Sequence, residues 1–137
     1  MRRSTCEVIK MEAVILTGIA RRVLDELIRN PYRTIELRSA RNVLAVEEAL
    51  KEALKLFLTY DPFEDVSTGT EGLLAEILEA KEINTRIPWE ESDEREITVC
   101  RAKVKLVGLG RVVEVERRDG ILVARVRELF PHEMSIG

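Results

Sequence analysis

The sequence contains no glutamine, one histidine (His132) and two cysteines (Cys6 and Cys100). One histidine excludes a multi-histidine metal centre, and two cysteines exclude a four-cysteine zinc site within one chain. A Ser-His-Asp triad would have to recruit His132 from a segment that reads as C-terminal tail. Two distant thiols build no disulfide framework and fit a cytoplasmic protein with incidental cysteines. Aromatic residues make up only 4%, so the core has to be aliphatic. The longest apolar run centres on Ala13 to Leu16, far short of the roughly eighteen residues of a membrane span. Met1-Arg2-Arg3 is basic but leads into polar residues without an Ala-x-Ala site, so no signal peptide is expected. P-loop, GxGxxG, CxxC, HExxH and nucleophile-elbow motifs are also missing. No cofactor and no metal is expected.

Charge, by contrast, is plentiful, at 34% of the 137 residues. Sixteen arginines stand against six lysines, and twenty glutamates against five aspartates. Scarce amides with abundant Glu and Arg fit a thermophile. A GC-rich genome would also favour Arg, but it would not remove Gln. The net charge of −3 excludes a globally basic nucleic-acid glove and leaves room for a local patch. The length suits a single domain. Met11 marks its start, which makes 1–10 an N-terminal extension, 11–131 the domain and 132–137 a tail.

The hydrophobic pattern predicts an α+β fold with two helices and a mixed, mostly antiparallel sheet. Val8 to Leu16 reads as a first strand. Ile19, Ala20, Val23, Leu24, Leu27 and Ile28 follow at helical spacing, with Thr17 as the expected N-cap and Asn30-Pro31 as the stop. Thr34 to Arg38 alternates strictly, as a strand with Ile35 and Leu37 inward. Val46, Ala49, Leu50, Ala53, Leu54 and Phe57 form a second helical stripe, although Leu56 to Tyr60 also reads as a strand. Leu73 to Ile83 fits either helix or strand, and local propensity favours helix. Residues 84–96, with Pro88, Trp89 and five acidic residues, read as a surface loop.

From residue 98 onward a three-strand meander is expected, with turns at Gly108-Leu109-Gly110 and Asp119-Gly120. That register places Glu114 opposite Arg125, Lys105 opposite Glu114 and Lys103 opposite Glu116. The basic stripe of Arg101, Lys103, Lys105, Arg125 and Arg127 then reads as a ladder of salt bridges rather than a nucleic-acid surface. Asp61, Glu64 and Asp65 read as a solvated acidic turn, because the spacing is not that of a calcium loop. Cys100 points into the predicted core and reads as structural.

One segment stands apart. On the strand around Ile35, Thr34, Glu36 and Arg38 share the outward face, with Arg33, Ser39 and Arg41 close by. Arg38 offers planar bidentate recognition of a phosphate or base edge, and Glu36 accepts from an exocyclic amine. An intrastrand Glu36–Arg38 pair of little energetic value is the plain alternative.

The order strand, Thr17-Gly18, helix, then Arg33-Thr34-Ile35-Glu36-Leu37-Arg38-Ser39 resembles the opening of ASCH domains in the PUA-like superfamily. Their pattern is a Gly, a Lys and a Thr-x-Glu-x-Arg strand, with Gly18, Arg33, Thr34, Glu36 and Arg38 as counterparts. The chain also resembles an archaeal family known only as domain of unknown function 473. That likeness runs through Thr34 to Ala40, Gly69-Thr70-Glu71-Gly72 and Gly108 to Val113. The ASCH resemblance implies a small β-barrel with two flanking helices, and it turns Leu73 to Ile83 into a barrel strand. It implies a cleft that binds RNA or a nucleotide-like ligand through Arg33, Thr34, Glu36, Arg38, Ser39 and Arg41. Some relatives hydrolyse acetylated cytidine with a Lys, a Thr and a Glu, which makes a nucleoside amidohydrolase using Thr34 and Glu36 the alternative. Here Arg33 stands in the Lys place, and arginine stays protonated and cannot serve as a base. A non-catalytic structural protein that assembles as a homo-oligomer is the remaining alternative.

Overall fold

A computed structural model describes residues Lys10–Pro88 and Glu94–Leu129. In chain order these are β1 (Lys10–Leu16), α1 (Arg21–Arg29), β2 (Tyr32–Leu37), α2 (Ala40–Glu52), β3 (Lys55–Leu58), β4 (Glu71–Pro88), β5 (Glu94–Arg118) and β6 (Ile121–Leu129). The six strands form one mixed sheet in the order β2-β5-β4-β3-β1-β6. Only β1 and β3 run parallel; the other pairings are antiparallel. Because β5 also pairs with β6, the ladder β1-β3-β4-β5-β6 returns to β1. Strand β2 lies outside this circuit, and among the described strands it is bonded only to β5.

Alternation along the strands makes two apolar layers. One joins the helices to the sheet: Val43, Val46 and Ala49 of α2 and Leu27 of α1 cluster with Val14, Leu16, Leu56, Leu58, Ile35 and Leu37. The other gathers Ala13, Ile15, Leu74, Val112 and Val126 with Phe57, which is fully buried. Tyr32 and Tyr60 are about half exposed and Phe63 only edges the second layer, so aliphatic packing dominates as the composition requires.

Several expectations are corrected. Helix α1 starts at Arg21 with Ala20 at its N-cap and no side-chain cap bond, so Thr17 does not cap it. Thr17 lies in the turn before the helix, where Gly18 takes φ 65° and donates to the Asp61 carbonyl at 2.9 Å. The second helix stops at Glu52, and Ala53 turns left-handed at φ 57°. Leu56 to Leu58 are buried and pair with both β1 and β4, so burial on both faces overrides the helical spacing. Leu73 to Ile83, open between helix and strand on its own residues, is strand within β4, as the ASCH resemblance implied and against local propensity, because β5 pairs along its whole length. The expected loop 84–96 is largely ladder: 84–88 pair with 94–98, and 89–93 lie outside the described residues.

Gly108-Leu109-Gly110 makes no turn. Strand β5 runs straight through it, so the pairings of Lys105 with Glu114 and Lys103 with Glu116 do not form. The glycines serve close approach instead. Gly110 sits opposite Gly72 in the β4–β5 pair. A Cβ on Gly72 would lie 2.4 Å from the Leu58 carbonyl oxygen, and one on Gly110 would lie 2.5 Å from Val126 Cγ1. The hairpin at Asp119-Gly120 forms as expected, with φ 51° and 85°, and Glu114 does face Arg125, 3.6 Å apart. Cys100 is buried in the helix-side layer, and burial pushes its thiol pKa up. Cys6, Trp89 and His132 lie outside the described residues. No helix among the described residues is long and apolar enough to cross a membrane.

Candidate ligand cleft at the β2 edge

Strand β2 ends the sheet order, so among the described residues one of its edges is open. The Leu106 N–H donates to the Pro31 carbonyl at 2.7 Å, which sets the phase of the β2–β5 ladder. In an antiparallel pair, alternate residues aim their backbone groups at the partner. Arg33, Ile35 and Leu37 therefore bond toward β5, while Tyr32, Thr34 and Glu36 aim N–H and C=O at the open edge. Consistently, the Tyr32 N–H turns to Asn30 Oδ1 at 3.4 Å.

A cleft of about 540 Å³ runs along this edge. It is lined by Gly18, Ile19, Ala20 and Val23, by residues 33–39, and by Asn42. Thr34 and Glu36 are exposed on one face of β2, as the alternation predicts. Arg38 Nη2 donates to Glu36 Oε1 at 3.2 Å, and Arg101 Nε from β5 donates to Glu36 Oε2 at 3.1 Å. These two guanidinium groups hold the Glu36 carboxyl below the usual carboxylate range, the Arg38 hydrogen bond most of all. Glu36 is thus a fixed anion at neutral pH, and Arg38 is 70% exposed with donors to spare.

The remaining candidates divide. Arg33 belongs to the opposite face of β2, where Nη1 lies 2.6 Å from Glu26 Oε1 of α1. That contact is one of charge rather than an aligned hydrogen bond, because Glu26 Oε1 and Arg33 Nε are both buried without a hydrogen-bond partner. Ser39 caps α2, its Oγ accepting from the Asn42 N–H at 3.1 Å. Arg41 points elsewhere, with Cζ 3.7 Å from the Phe63 ring centroid. It does not line the cleft.

Two residues of the site escape a reading of β2 alone. Arg101 is read there as part of a salt-bridge ladder, and only the β2–β5 register brings it to Glu36. Asn42 is the other. Its Nδ2 donates to the Thr17 carbonyl at 2.9 Å and its Oδ1 accepts from the Thr17 N–H at 3.1 Å, which pins the Gly18 rim to α2. An Asn beside Val43, Ala45 and Val46 in a buried helix stripe is the signal that marks it.

A second cleft, of about 600 Å³, lies between α1 and the Gly69–Gly72 turn, lined by Ile28, Tyr60, Leu73 and Leu109 among others. Its arginine, Arg21, is stacked over the Tyr60 ring at 4.4 Å, and Glu71 on its rim is bound by Arg111 at 2.6 Å. Among the described residues no group of acidic, histidine or cysteine side chains is arranged to hold a metal ion.

The fold and cleft define an α+β domain built on a six-stranded, mostly antiparallel sheet with two helices and an open-edged strand beside a charged cleft. Residues 11–126 match the family described as Protein of unknown function (DUF473), and the chain belongs to that family. An uncharacterised protein of Methanocaldococcus jannaschii is 29% identical over 106 residues, which cover 77% of this chain and 68% of the relative. The β2 strand, the Gly72 and Gly110 contacts and the first six residues of the closing β6 fall inside the matched region.

Proposed function

We propose that this domain is a PUA/ASCH-like module that binds RNA or a nucleotide-like ligand in the β2 cleft. The observation that carries the reading is the open edge of β2. Thr34 and Glu36 present backbone N–H and C=O groups to a cleft that also holds an ionised carboxylate and a free-ended guanidinium. A base edge is itself a row of alternating donors and acceptors, and it is matched by such a strand edge. Arg38 adds a bidentate partner for phosphate. The closed circuit of strand pairings supports the barrel part of the reading.

The geometry favours binding over amide hydrolysis. Glu36 is hydrogen-bonded to Arg38 and Arg101 rather than to Thr34, so it does not activate the hydroxyl. A carboxyl held below its usual range is also a poor proton donor at neutral pH. The test is titration of nucleoside monophosphates and short RNA against the protein and against Glu36→Ala and Arg38→Ala. Binding that weakens about tenfold or more in each variant supports the cleft. Affinities and salt slopes that match the unaltered protein refute it. Incubation with acetylcytidine decides the alternative, since release of acetate would restore the hydrolase.

A further inference from the structure

The continuity of β5 changes the surroundings of its basic residues. Had the chain turned at Gly108-Leu109-Gly110, Lys103 and Lys105 would face Glu116 and Glu114. In the structure Lys103 faces Thr34 on one side and Glu79 on the other, and Lys105 faces Tyr32 and Glu76. Glu79 lies 3.8 Å from Lys81, and no described side chain forms an ion pair with Lys103. This one face of β2, β5 and β4 carries Arg38, Arg101, Lys103, Lys105 and Lys81 against Glu36, Glu76 and Glu79. Five cations against three anions give +2 locally, on a chain whose net charge is −3.

The face also has an aromatic platform. Tyr32 is 53% exposed, and Lys105 Nζ sits 5.7 Å from its ring centroid. Lys103 and Lys105 are two residues apart on a strand, about 7 Å, a step comparable to one nucleotide of an extended chain. Thr34, Glu36 and Arg38 border both this face and the cleft, so the two surfaces are continuous.

We infer that a single-stranded RNA segment crosses the β2–β5 face, one base stacked on Tyr32 and its phosphates met by Lys103 and Lys105, while a neighbouring nucleotide occupies the β2 cleft. The inference rests on the cleft reading and extends it from one nucleotide to a strand. An exposed aromatic ring flanked by cations fits bases and phosphates together, and it accepts a single strand regardless of sequence. An acidic peptide would use the lysines but leave the ring without a matching partner.

The experiment uses the full chain with fluorescent oligouridylate and, separately, uridine monophosphate, across a salt series. Lys103→Ala/Lys105→Ala should weaken oligouridylate binding about tenfold or more and lower the salt slope by about 1.4, two phosphates at roughly 0.7 each for a single strand. Tyr32→Ala should weaken it about tenfold with little change in slope. Uridine monophosphate binding should be unchanged in both variants and reduced in Glu36→Ala. If monophosphate binds and oligouridylate gains nothing over it, the strand path is overturned and the cleft stands. An unchanged slope in the double variant overturns it as well, and so does equal or tighter binding of duplex RNA or of an acidic peptide. If Glu36→Ala leaves the monophosphate affinity intact, the cleft reading is the part that fails.

Discussion

Replacing Asn42 with alanine tests how the cleft is held open. The side chain is 6% exposed and makes two hydrogen bonds to the backbone of Thr17, at 2.9 and 3.1 Å. Each is worth about 1 kcal/mol net, and a buried group left unpaired costs about 1–3 kcal/mol. Thr17 is only partly buried, so water re-solvates some of its freed groups and the penalty falls at the lower end. The expected loss for Asn42→Ala is therefore about 2–3 kcal/mol, read as a lowered urea midpoint at unchanged m. Asn42→Asp separates the two bonds: it keeps an acceptor for the Thr17 N–H but sets a carboxylate against the Thr17 carbonyl. That variant should be no more stable than the alanine at neutral pH and should recover on acidification. An alanine variant within about 0.5 kcal/mol of the parent, or an aspartate variant equal to it, would refute the account of Asn42 as the tie between α2 and the Gly18 rim.

Gly72→Ala should destabilise by about 3 kcal/mol, because its Cβ would lie 2.4 Å from a backbone oxygen, whereas Gly108→Ala meets only the movable Glu128 carboxylate at 2.8 Å and should stay within about 0.5 kcal/mol. Thermal melts of the pair distinguish crowding from a general intolerance of glycine replacement. Glu36, held low by Arg38 and Arg101, contributes stability that is complete above the usual carboxylate range and is lost as pH falls through its lowered pKa. Glu47 has the opposite sign: its hydrogen bond with Glu82 raises its pKa, so its contribution is complete below the usual range and is lost as pH rises through the raised value. Stability measured against pH should lose the acid-side fall in Glu36→Gln and the later fall in Glu47→Gln. Cys100, buried and with its thiol pKa raised, should resist alkylation in the folded protein and react in urea, as followed by peptide mass mapping.

The parts of the fold legible in the sequence are those fixed by local chemistry. The Asp119-Gly120 hairpin needs two positive φ angles, and Asp-Gly supplies them. The first helix and the alternation of β2 follow from period alone. Misreadings occur where tertiary pairing outweighs local signals. Leu73 to Ile83 fits either helix or strand on its own residues, and the long partner that covers it decides for strand. Gly108-Leu109-Gly110 has the look of a turn and is extended, since its glycines answer neighbours distant in sequence. The candidate site divides on the same principle. Thr34, Glu36 and Arg38 share the expected face because alternation puts them there. Arg41 left the group because a helix rotates each successive side chain by about 100°, which turns it to Phe63. Arg101 joined because a sheet register, sixty-five residues away in sequence, placed it opposite Glu36.

Strand β1 sits between β3 and β6, the latter the last described strand. Ala13 finds Lys55 on one side and Ala124 on the other. As the chain leaves the ribosome, β1 is complete while its second partner is more than a hundred residues from being made. Its hydrogen-bonding edge has no strand partner on that side until β6 is made, and closure then costs the entropy of a loop of more than a hundred residues. Folding is accordingly expected to be slow, with closure of the circuit a late step.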